Sequence, residues 1–226
     1  MQSSQFKSIV AILIFIPLAL ILSASGCQTK TSNEQTAKKE EIKPVHDSLA
    51  IDTATFGAGC FWCVEAIFAE LRGVKSVLSG YTGGTKVNPT YKEISSGETG
   101  HAEVAQIAYD PKVTTYKELL EVFWQVHDPT SLNRQGPDIG TQYRSVVFYR
   151  NAQQKEEAEF YLKGLNEKNV YGKPVVTKVE PMGHFYKAED YHQNYYTDNS
   201  NQTYCVYVIK PKLDKFREVF KDKLKK

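Results

Sequence analysis

The residues most able to do chemistry in this chain are its four cysteines, Cys27, Cys60, Cys63 and Cys205. Cys27 belongs to an unusual N-terminal leader, so the other three remain for the folded part. An odd number argues against a closed framework of structural disulfides, and a structural zinc site usually needs two close ligand pairs. The set therefore indicates reactive thiols. For the Cys60-x-x-Cys63 pair alone, a metal site and a thioredoxin-like redox motif remain alternatives.

Cys60 stands where a predicted strand turns into a helix, directly after the tight turn at Gly57 to Gly59. The start of a helix has unpaired backbone N–H groups and the positive end of the helix dipole, and both stabilise a thiolate. We therefore interpret Cys60 as a candidate nucleophile. Cys63 follows about one helical turn later, close enough to attack an oxidised Cys60. Phe61 and Trp62 stand between them, and a substrate site and core filling are equally consistent with these aromatics.

Apolar periodicity and turn residues predict the elements that position these residues. Strands are predicted at 51–56, 74–81, 103–109, 145–149 and 175–180, and helices through 64–71, 115–124, 152–167 and 213–224. The stretches 85–100 and 128–141 are predicted as irregular loops. The first six elements follow the order βαββαβ, the split pattern of ferredoxin-like folds. We predict an α+β fold, a two-layer ferredoxin-like (split βαβ) sandwich with helices on one face and a C-terminal extension.

The N-terminus, residues 1–27, has the features of an export signal. Lys7 precedes an apolar run from Ile9 to Leu22, and small residues then lead to Cys27. The run is short for a membrane-spanning helix, which needs ~20 apolar residues. The pattern resembles a bacterial lipoprotein signal, which implies lipidation of Cys27 and a membrane-anchored protein of the cell envelope, on its periplasmic or extracytoplasmic face. Ala24 departs from the Leu that such signals more often carry, and a plain signal peptide or uncleaved anchor is the alternative.

The composition of the chain after the leader divides it into a tether and one domain. Residues 28–48 are rich in Thr, Lys, Glu, Gln and Ser without apolar periodicity, so we predict a flexible tether. Residues 49–226 are long enough for one domain with a sizeable core. The formal net charge of +2 argues against a nucleic-acid surface.

The folded part, from about residue 53 to residue 205, resembles the A-type peptide methionine sulfoxide reductases. Gly59-Cys60-Phe61-Trp62-Cys63 after a strand matches that family. The other matching segments come in the same order: Gly80-Tyr81-Thr82-Gly83-Gly84, Asn88-Pro89-Thr90-Tyr91, Gly97-x-Thr99-Gly100-His101-Ala102-Glu103, Phe123-Trp124, His127-Asp128-Pro129, Gly140-Thr141-Gln142-Tyr143-Arg144-Ser145 and Phe185-Tyr186-x-Ala188-Glu189-Asp190-Tyr191-His192-Gln193. Each motif alone is weak, whereas the ordered set is highly specific.

The resemblance implies reduction of methionine S-sulfoxide, free or in proteins, as repair of oxidative damage. Cys60 resembles the nucleophile that attacks the sulfoxide sulfur, and Glu103 resembles the acid that protonates its oxygen. The remaining matches are an apolar cage for the substrate methyl group (Phe61, Trp62), hydroxyl donors to the oxygen (Tyr91, Tyr143) and a supporting polar residue (Asp138). Without the resemblance, Glu103 would be interpreted as an exposed carboxylate at a strand edge, and the tyrosines as partly buried surface residues.

The chemistry of a sulfoxide agrees with these roles. A buried methyl group contributes only ~0.8 kcal/mol, so an aromatic cage orients the substrate more than it holds it. The oxygen must leave as water or hydroxide, and a general acid typically accelerates such a step ~10²–10⁴-fold. To donate a proton near neutral pH, Glu103 needs a pKa raised towards ~6–7, which requires burial.

Attack on the sulfoxide leaves Cys60 as a sulfenic acid, which condenses with a nearby thiol. Cys63 and Cys205 are both candidates to resolve it. Many relatives carry Gly in place of Cys63 and use a C-terminal cysteine, which Cys205 resembles; proximity favours Cys63 first, with Cys205 acting later or not at all. An external thioredoxin-like dithiol would complete the cycle, and no bound cofactor or metal is expected. A general thiol-disulfide oxidoreductase and a non-enzymatic envelope lipoprotein are the alternative functions.

Overall fold

The computed structural model describes residues 51–226 of the chain. The first half contains β1 (Asp52–Ala58), α1 (Phe61–Ala69), β2 (Val74–Thr82), α2 (Tyr91–Ser95), β3 (Ala102–Tyr109) and α3 (Tyr116–Val126). The second half contains β4 (Arg134–Gln135), β5 (Asp138–Ile139), β6 (Ser145–Tyr149), α4 (Ala152–Glu167), β7 (Lys178–Pro181), β8 (Tyr186–Lys187), α5 (Tyr195–Asp198) and α6 (Lys210–Val219). Short 3₁₀ turns occupy Thr141–Tyr143 and Asp190–His192, and a π-helix occupies Cys205–Ile209. The predicted signal with Cys27 and the predicted tether lie outside the described residues.

One mixed sheet organises the domain, with the strand order β7-β6-β1-β3-β2-β8. All neighbouring strands are antiparallel except β6 and β7, which are parallel. The α+β class is as predicted. Among residues 51–226, every helix is too short or too polar to cross a lipid bilayer.

The core next to the site lies between β1, α1 and α3. The Phe56 ring of β1 lies 5.6 Å from the ring of Phe68 and 5.0 Å from that of Phe123. Val64 and Ile67 join Phe68 on the buried side of α1, so the predicted apolar stripe faces the sheet. Burying each such side chain contributes about 1.5–3 kcal/mol, which fixes the rotation of α1 and thereby the position of its first residues.

Both stretches predicted as irregular contain short elements. In the first, Thr90 begins α2: its side chain accepts from the Glu93 backbone, and the Glu93 side chain accepts from the Thr90 backbone. In the second, β4 and β5 pair as a hairpin. The Gln135 amide closes that loop, because its oxygen accepts from the Asp128 N–H at 3.1 Å and its nitrogen donates to the Asp128 carbonyl at 2.6 Å. These elements are held by polar side chains, so apolar periodicity does not predict them.

The last helix ends earlier than the sequence predicts. The helix predicted through 213–224 ends at Val219, and Leu224 instead forms an isolated β-bridge with Leu71. The strand predicted at 175–180 begins only at Lys178. The segment that leads into α6 folds back over α1 through the π-helix, which places Cys205 beside the N-terminal half of the domain.

Candidate active site

Cys60 lies between β1 and α1, at the position that the sequence predicts. It is the N-terminal cap residue of α1, and its carbonyl accepts from the N–H of Cys63 at 3.1 Å. The preceding Gly59 has φ +89°, and a Cβ there would lie 2.6 Å from Cβ of Gln135. A side chain at this position would therefore be strained and would also collide with the β4 strand. The turn brings the Cys60 side chain into the interior, where it is 5% exposed.

Burial changes the acidity of this thiol in the direction opposite to the one expected from the helix start. Burial raises the pKa of Cys60 well above its ordinary value, and the hydrogen bond and charge of Cys63 add to the effect. The pKa of Cys63 is lowered instead, first by the hydrogen bond from Cys60 and also by the charge of Lys212. The prediction of a Cys60 thiolate is thus wrong for the free site, because desolvation outweighs the helix start. The two thiols titrate together, with the negative charge favoured on Cys63.

Glu103 is buried under the start of α1, not exposed at a strand edge. It lies on β3 opposite Tyr81 of β2, and its side chain is 2% exposed. One carboxyl oxygen accepts from the Phe61 N–H at 3.1 Å. Burial raises the pKa of Glu103 to about 8, with smaller contributions from Asp138 and Cys63, while the Phe61 N–H acts in the opposite direction. Glu103 is therefore mostly protonated at neutral pH and can donate a proton.

A cavity of about 190 Å³ joins these groups. It is lined by Cys60, Phe61, Trp62, Tyr91, Glu103, Asp138, Tyr143 and Tyr204. The lining includes every residue that the sequence assigns to catalysis or substrate binding. Tyr204 is the one lining residue that the sequence did not assign to the site, because only the neighbouring Cys205 marked this segment as reactive.

One wall of the cavity is aromatic and rigid. The Trp62 ring stacks on the Tyr195 ring with centroids 3.6 Å apart and planes 6° apart. Its indole N–H donates to Nδ1 of His192 at 3.2 Å, so the neutral histidine carries its hydrogen on Nε2. Phe61 is 1% exposed and packs 5.8 Å from the Tyr81 ring. Phe61 thus fills the core and lines the cavity, whereas Trp62 is only partly buried.

The hydroxyl wall consists of Tyr91, at the start of α2, and Tyr143, in a 3₁₀ turn. The Tyr91 N–H donates to Glu189 at 2.8 Å, and the same carboxylate accepts from the Tyr81 hydroxyl at 2.9 Å. Tyr143 is positioned by the 3₁₀ turn, in which its N–H donates to the carbonyl of Gly140. Burial raises the pKa of both Tyr91 and Tyr143. Both phenols therefore stay protonated and can donate hydrogen bonds into the cavity.

The remaining wall joins the β4–β5 hairpin to the C-terminal segment. The Tyr204 hydroxyl donates to the Asp138 carboxylate at 2.7 Å. Tyr204 and Cys60 line the same cavity, and burial raises the pKa of the phenol. Asp138 therefore orients a hydroxyl that faces the candidate nucleophile.

All three cysteines of the described part are free thiols and buried. Cys205 belongs to the same hydrophobic cluster as Cys60 and Cys63. Burial raises the pKa of Cys205, and Cys63 adds to this effect. Residues 51–226 contain no group of three or more His, Cys, Asp or Glu side chains that could hold a metal ion.

The buried thiol, the protonated carboxyl and the aromatic wall lie within the part of the chain that matches a known family. The family model described as peptide methionine sulfoxide reductase matches residues 52–224. The chain belongs to this family. Curated relatives named peptide methionine sulfoxide reductase MsrA match over nearly their full length. The protein of Natronomonas pharaonis is 55% identical over 172 residues, which is 76% of this chain and 97% of that protein. The protein of Deinococcus radiodurans is 46% identical over 204 residues, covering 90% of this chain and 98% of the relative.

Solved structures of the family have the same fold. Mxr1 from Saccharomyces cerevisiae in its reduced form superposes with a TM-score of 0.64 at 34% identity, covering 71% of this chain and 92% of that one. Methionine sulfoxide reductase A of Corynebacterium diphtheriae gives 0.61 at 36% identity, covering 67% of this chain and 76% of that one. The predicted A-type reductase family is confirmed, and with it the thiol-dependent reduction of methionine sulfoxide. The two alternative functions are not supported.

Proposed function

We propose that this reductase acts on the S epimer of methionine sulfoxide, free or within proteins, with Cys60 as nucleophile and Glu103 as proton donor. One observation carries the proposal: a buried thiol and a buried, protonated carboxyl line the same cavity of about 190 Å³. A sulfoxide combines a polar oxygen with a methyl group, so it suits a cavity with hydroxyls on one wall and aromatics on another. Phe61 and Trp62 supply the second wall.

The first step forms a bond between sulfur atoms and removes the substrate oxygen. Cys60 Sγ attacks the sulfoxide sulfur while Glu103 gives its proton to the oxygen. The hydroxyls of Tyr91 and Tyr143 donate to the same oxygen as its negative charge develops. With the thiol proton as its second proton, the oxygen leaves as water and the two sulfur atoms stay bonded. A water molecule then attacks Cys60 Sγ and breaks the sulfur–sulfur bond, which gives methionine and the sulfenic acid of Cys60, and the proton that this water releases restores Glu103. Protonation of the oxygen is needed here because the Cys60 thiol is not strongly acidic in the free site.

The second step restores the thiols. The Cys63 thiol condenses with the sulfenic acid, giving water and a Cys60–Cys63 disulfide. An external thioredoxin-like dithiol then reduces this disulfide by exchange. Cys205 can enter that exchange later, since it lies in the same buried cluster.

Cys63→Ser tests this order of events. The variant should release one methionine per enzyme and then stop, because Cys60 is left as a sulfenic acid without its nearest thiol. Mass spectrometry after one turnover should find a Cys60–Cys63 disulfide in the unmodified protein and a trapped sulfenic acid in Cys63→Ser. Cys205→Ser is the matched control and should keep the first disulfide. A Cys60–Cys205 disulfide in Cys63→Ser, in place of the trapped sulfenic acid, would assign resolution to Cys205 instead.

We also propose that β1, α1, β2, β3, α3 and β6 form a ferredoxin-like unit. The order β6-β1-β3-β2 with antiparallel neighbours supports this description. The unit would explain why Cys60 and Glu103 meet, since the first helix of a split βαβ pattern packs over the central strands. The strands β7 and β8 then extend the sheet at its two edges.

For the location we propose a lipoprotein of the cell envelope, anchored through Cys27 and separated from the membrane by residues 28–48. The apolar run from Ile9 to Leu22 and the small residues before Cys27 support this proposal. A tether of about twenty residues would let the catalytic domain reach oxidised proteins near the membrane.

Cys27→Ser tests the anchor. The variant should lose membrane association while the specific activity of the released protein is unchanged, because position 27 lies far along the chain from the catalytic domain. Fractionation of cells into membrane and soluble material measures this, with the unmodified protein alongside. Equal membrane association of the two proteins would remove the lipid-anchor proposal.

A further inference from the structure

A lysine of the C-terminal helix contacts the second cysteine of the motif. Lys212 of α6 places its Nζ 3.8 Å from Sγ of Cys63, across 149 positions of sequence. Lys210 and Arg217 of the same helix are each paired with a carboxylate. Within residues 51–226, no ion pair joins Lys212 to a carboxylate. The half-buried Lys212 therefore directs its ammonium group at the thiol and not at an acidic partner.

We propose that Lys212 is a positioning residue for the second step: its ammonium group holds Cys63 as the thiolate that attacks the Cys60 sulfenic acid. The inference rests on the proposed function, because it needs a sulfenic acid at Cys60. In the step, Sγ of Cys63 bonds to Sγ of Cys60 and the S–O bond breaks. The oxygen leaves with its hydrogen and takes up a second proton to become water. Cys63 is oxidised and the sulfenic sulfur is reduced, so no other oxidant is required.

The groups that face Cys63 come from every element packed against it. They are Cys60, Glu103, Asp138, Tyr204, Cys205 and Lys212, with His127 beside Lys212. Among these described groups Lys212 is the cation, since burial lowers the pKa of His127 to about 4 and leaves it neutral. Burial and Asp138 both disfavour a thiolate at Cys63, and the hydrogen bond from Cys60 and the charge of Lys212 oppose them. The contribution from Cys60 depends on its thiol hydrogen, which the sulfenic acid no longer carries on sulfur, whereas the lysine charge persists.

The same contact separates the two possible resolving thiols. Both Cys63 and Cys205 are buried in one cluster. The pKa of Cys63 is lowered, and burial together with the neighbouring Cys63 raises that of Cys205. Because the thiolate is the attacking species, the cation at Cys63 favours this residue as the first to react.

The test is the pH dependence of disulfide formation in Lys212→Met, which keeps an apolar stem but removes the charge. Each unit by which the thiol pKa rises lowers the thiolate fraction about tenfold, while the higher nucleophilicity of the more basic thiolate raises the rate by about 0.4–0.5 of a decade. The Cys60 sulfenic acid is trapped with a dimedone-type reagent during a single turnover at pH 7. We expect its decay in Lys212→Met to be slower by a factor of roughly three or more for each unit by which the Cys63 pKa rises. The pH–rate curve should move to higher pH, and the deficit of the variant should disappear in alkali, where both thiols are ionised and the more basic thiolate is at least as reactive.

Controls separate charge from structure. Lys212→Arg should keep the unmodified pH profile, and so should Lys215→Met, which removes an exposed lysine of the same helix. A second measurement does not depend on which step of the reaction is slowest. It is the ultraviolet titration of the Cys63 thiolate in a protein in which Cys60 and Cys205 are replaced by serine. A higher titration midpoint on adding Lys212→Met supports the proposal, and an unchanged midpoint overturns it. Failure of the unmodified enzyme to release methionine would instead contradict the proposed function.

Discussion

Cys60→Ser is expected to form no methionine, not even one equivalent per enzyme. Reduction of a sulfoxide needs two electrons, and in the first step they come from the sulfur of the nucleophile. A serine oxygen can donate hydrogen bonds in the same place but has no accessible sulfenic state. The loss should therefore exceed the about 10⁶-fold effect of removing the covalent nucleophile of a hydrolase, since no water-based route replaces it.

The measurement is methionine release in a single turnover, with enzyme in excess over substrate and no reductant present. Cys205→Ser is the matched control, because it replaces another buried thiol of the same cluster and leaves the first step intact. Thermal unfolding of both variants checks that the domain is folded. Measurable methionine from Cys60→Ser would refute the role of this thiol.

The extent to which sequence predicts this site depends on how local the signal is. The turn at Gly59 and the apolar stripe of α1 are local, so the placement of Cys60 at the helix start follows from the chain alone. Glu103 has no such local signal. Apolar periodicity and β propensity predict a strand at this position, but they do not predict that α1 covers the side chain. Its burial depends on a contact with Phe61, 42 residues away in sequence. The family resemblance identified Glu103 where pattern analysis predicted an exposed carboxylate.

The C-terminal contributions were the least predictable. Tyr204 contacts Asp138 directly before the π-helix and Lys212 contacts Cys63 after it, so both contacts depend on the way the C-terminal segment folds back over α1. No periodicity marks either residue. The predicted acidity of Cys60 was wrong for a related reason. The helix start is a local feature that stabilises a thiolate, whereas the elements that desolvate the thiol come from distant parts of the chain.

Glu103→Gln should be the second most damaging change, and its effect should depend on pH. Glutamine can still accept from the Phe61 N–H, so the local geometry is kept while the donated proton is lost. We expect the rate of methionine release to fall ~10²–10⁴-fold near neutral pH, the usual contribution of a general acid. The unmodified rate should decline as pH rises through about 8, where Glu103 ionises. The variant should lack this decline, and its deficit should shrink as the assay pH is lowered and solvent protons substitute.

The pH dependence of stability tests the same carboxyl independently: Glu103→Gln should lower activity but raise stability relative to the unmodified protein as the pH increases. The folded pKa of about 8 lies above the ordinary 4.5, so the unfolded chain releases this proton first and the unmodified protein loses stability as pH rises from 4.5 to 8. The loss approaches about 1.4 kcal/mol per pH unit for this group. Glu103→Gln should not show this loss. In denaturant unfolding, its free energy of unfolding should therefore increase relative to that of the unmodified protein between pH 4.5 and 8. The exposed Glu98→Gln is the control and should leave the difference flat. A parallel pH dependence for Glu103→Gln and the unmodified protein would mean that the carboxyl is ionised in the folded state, and it would then have no proton to give to the departing oxygen.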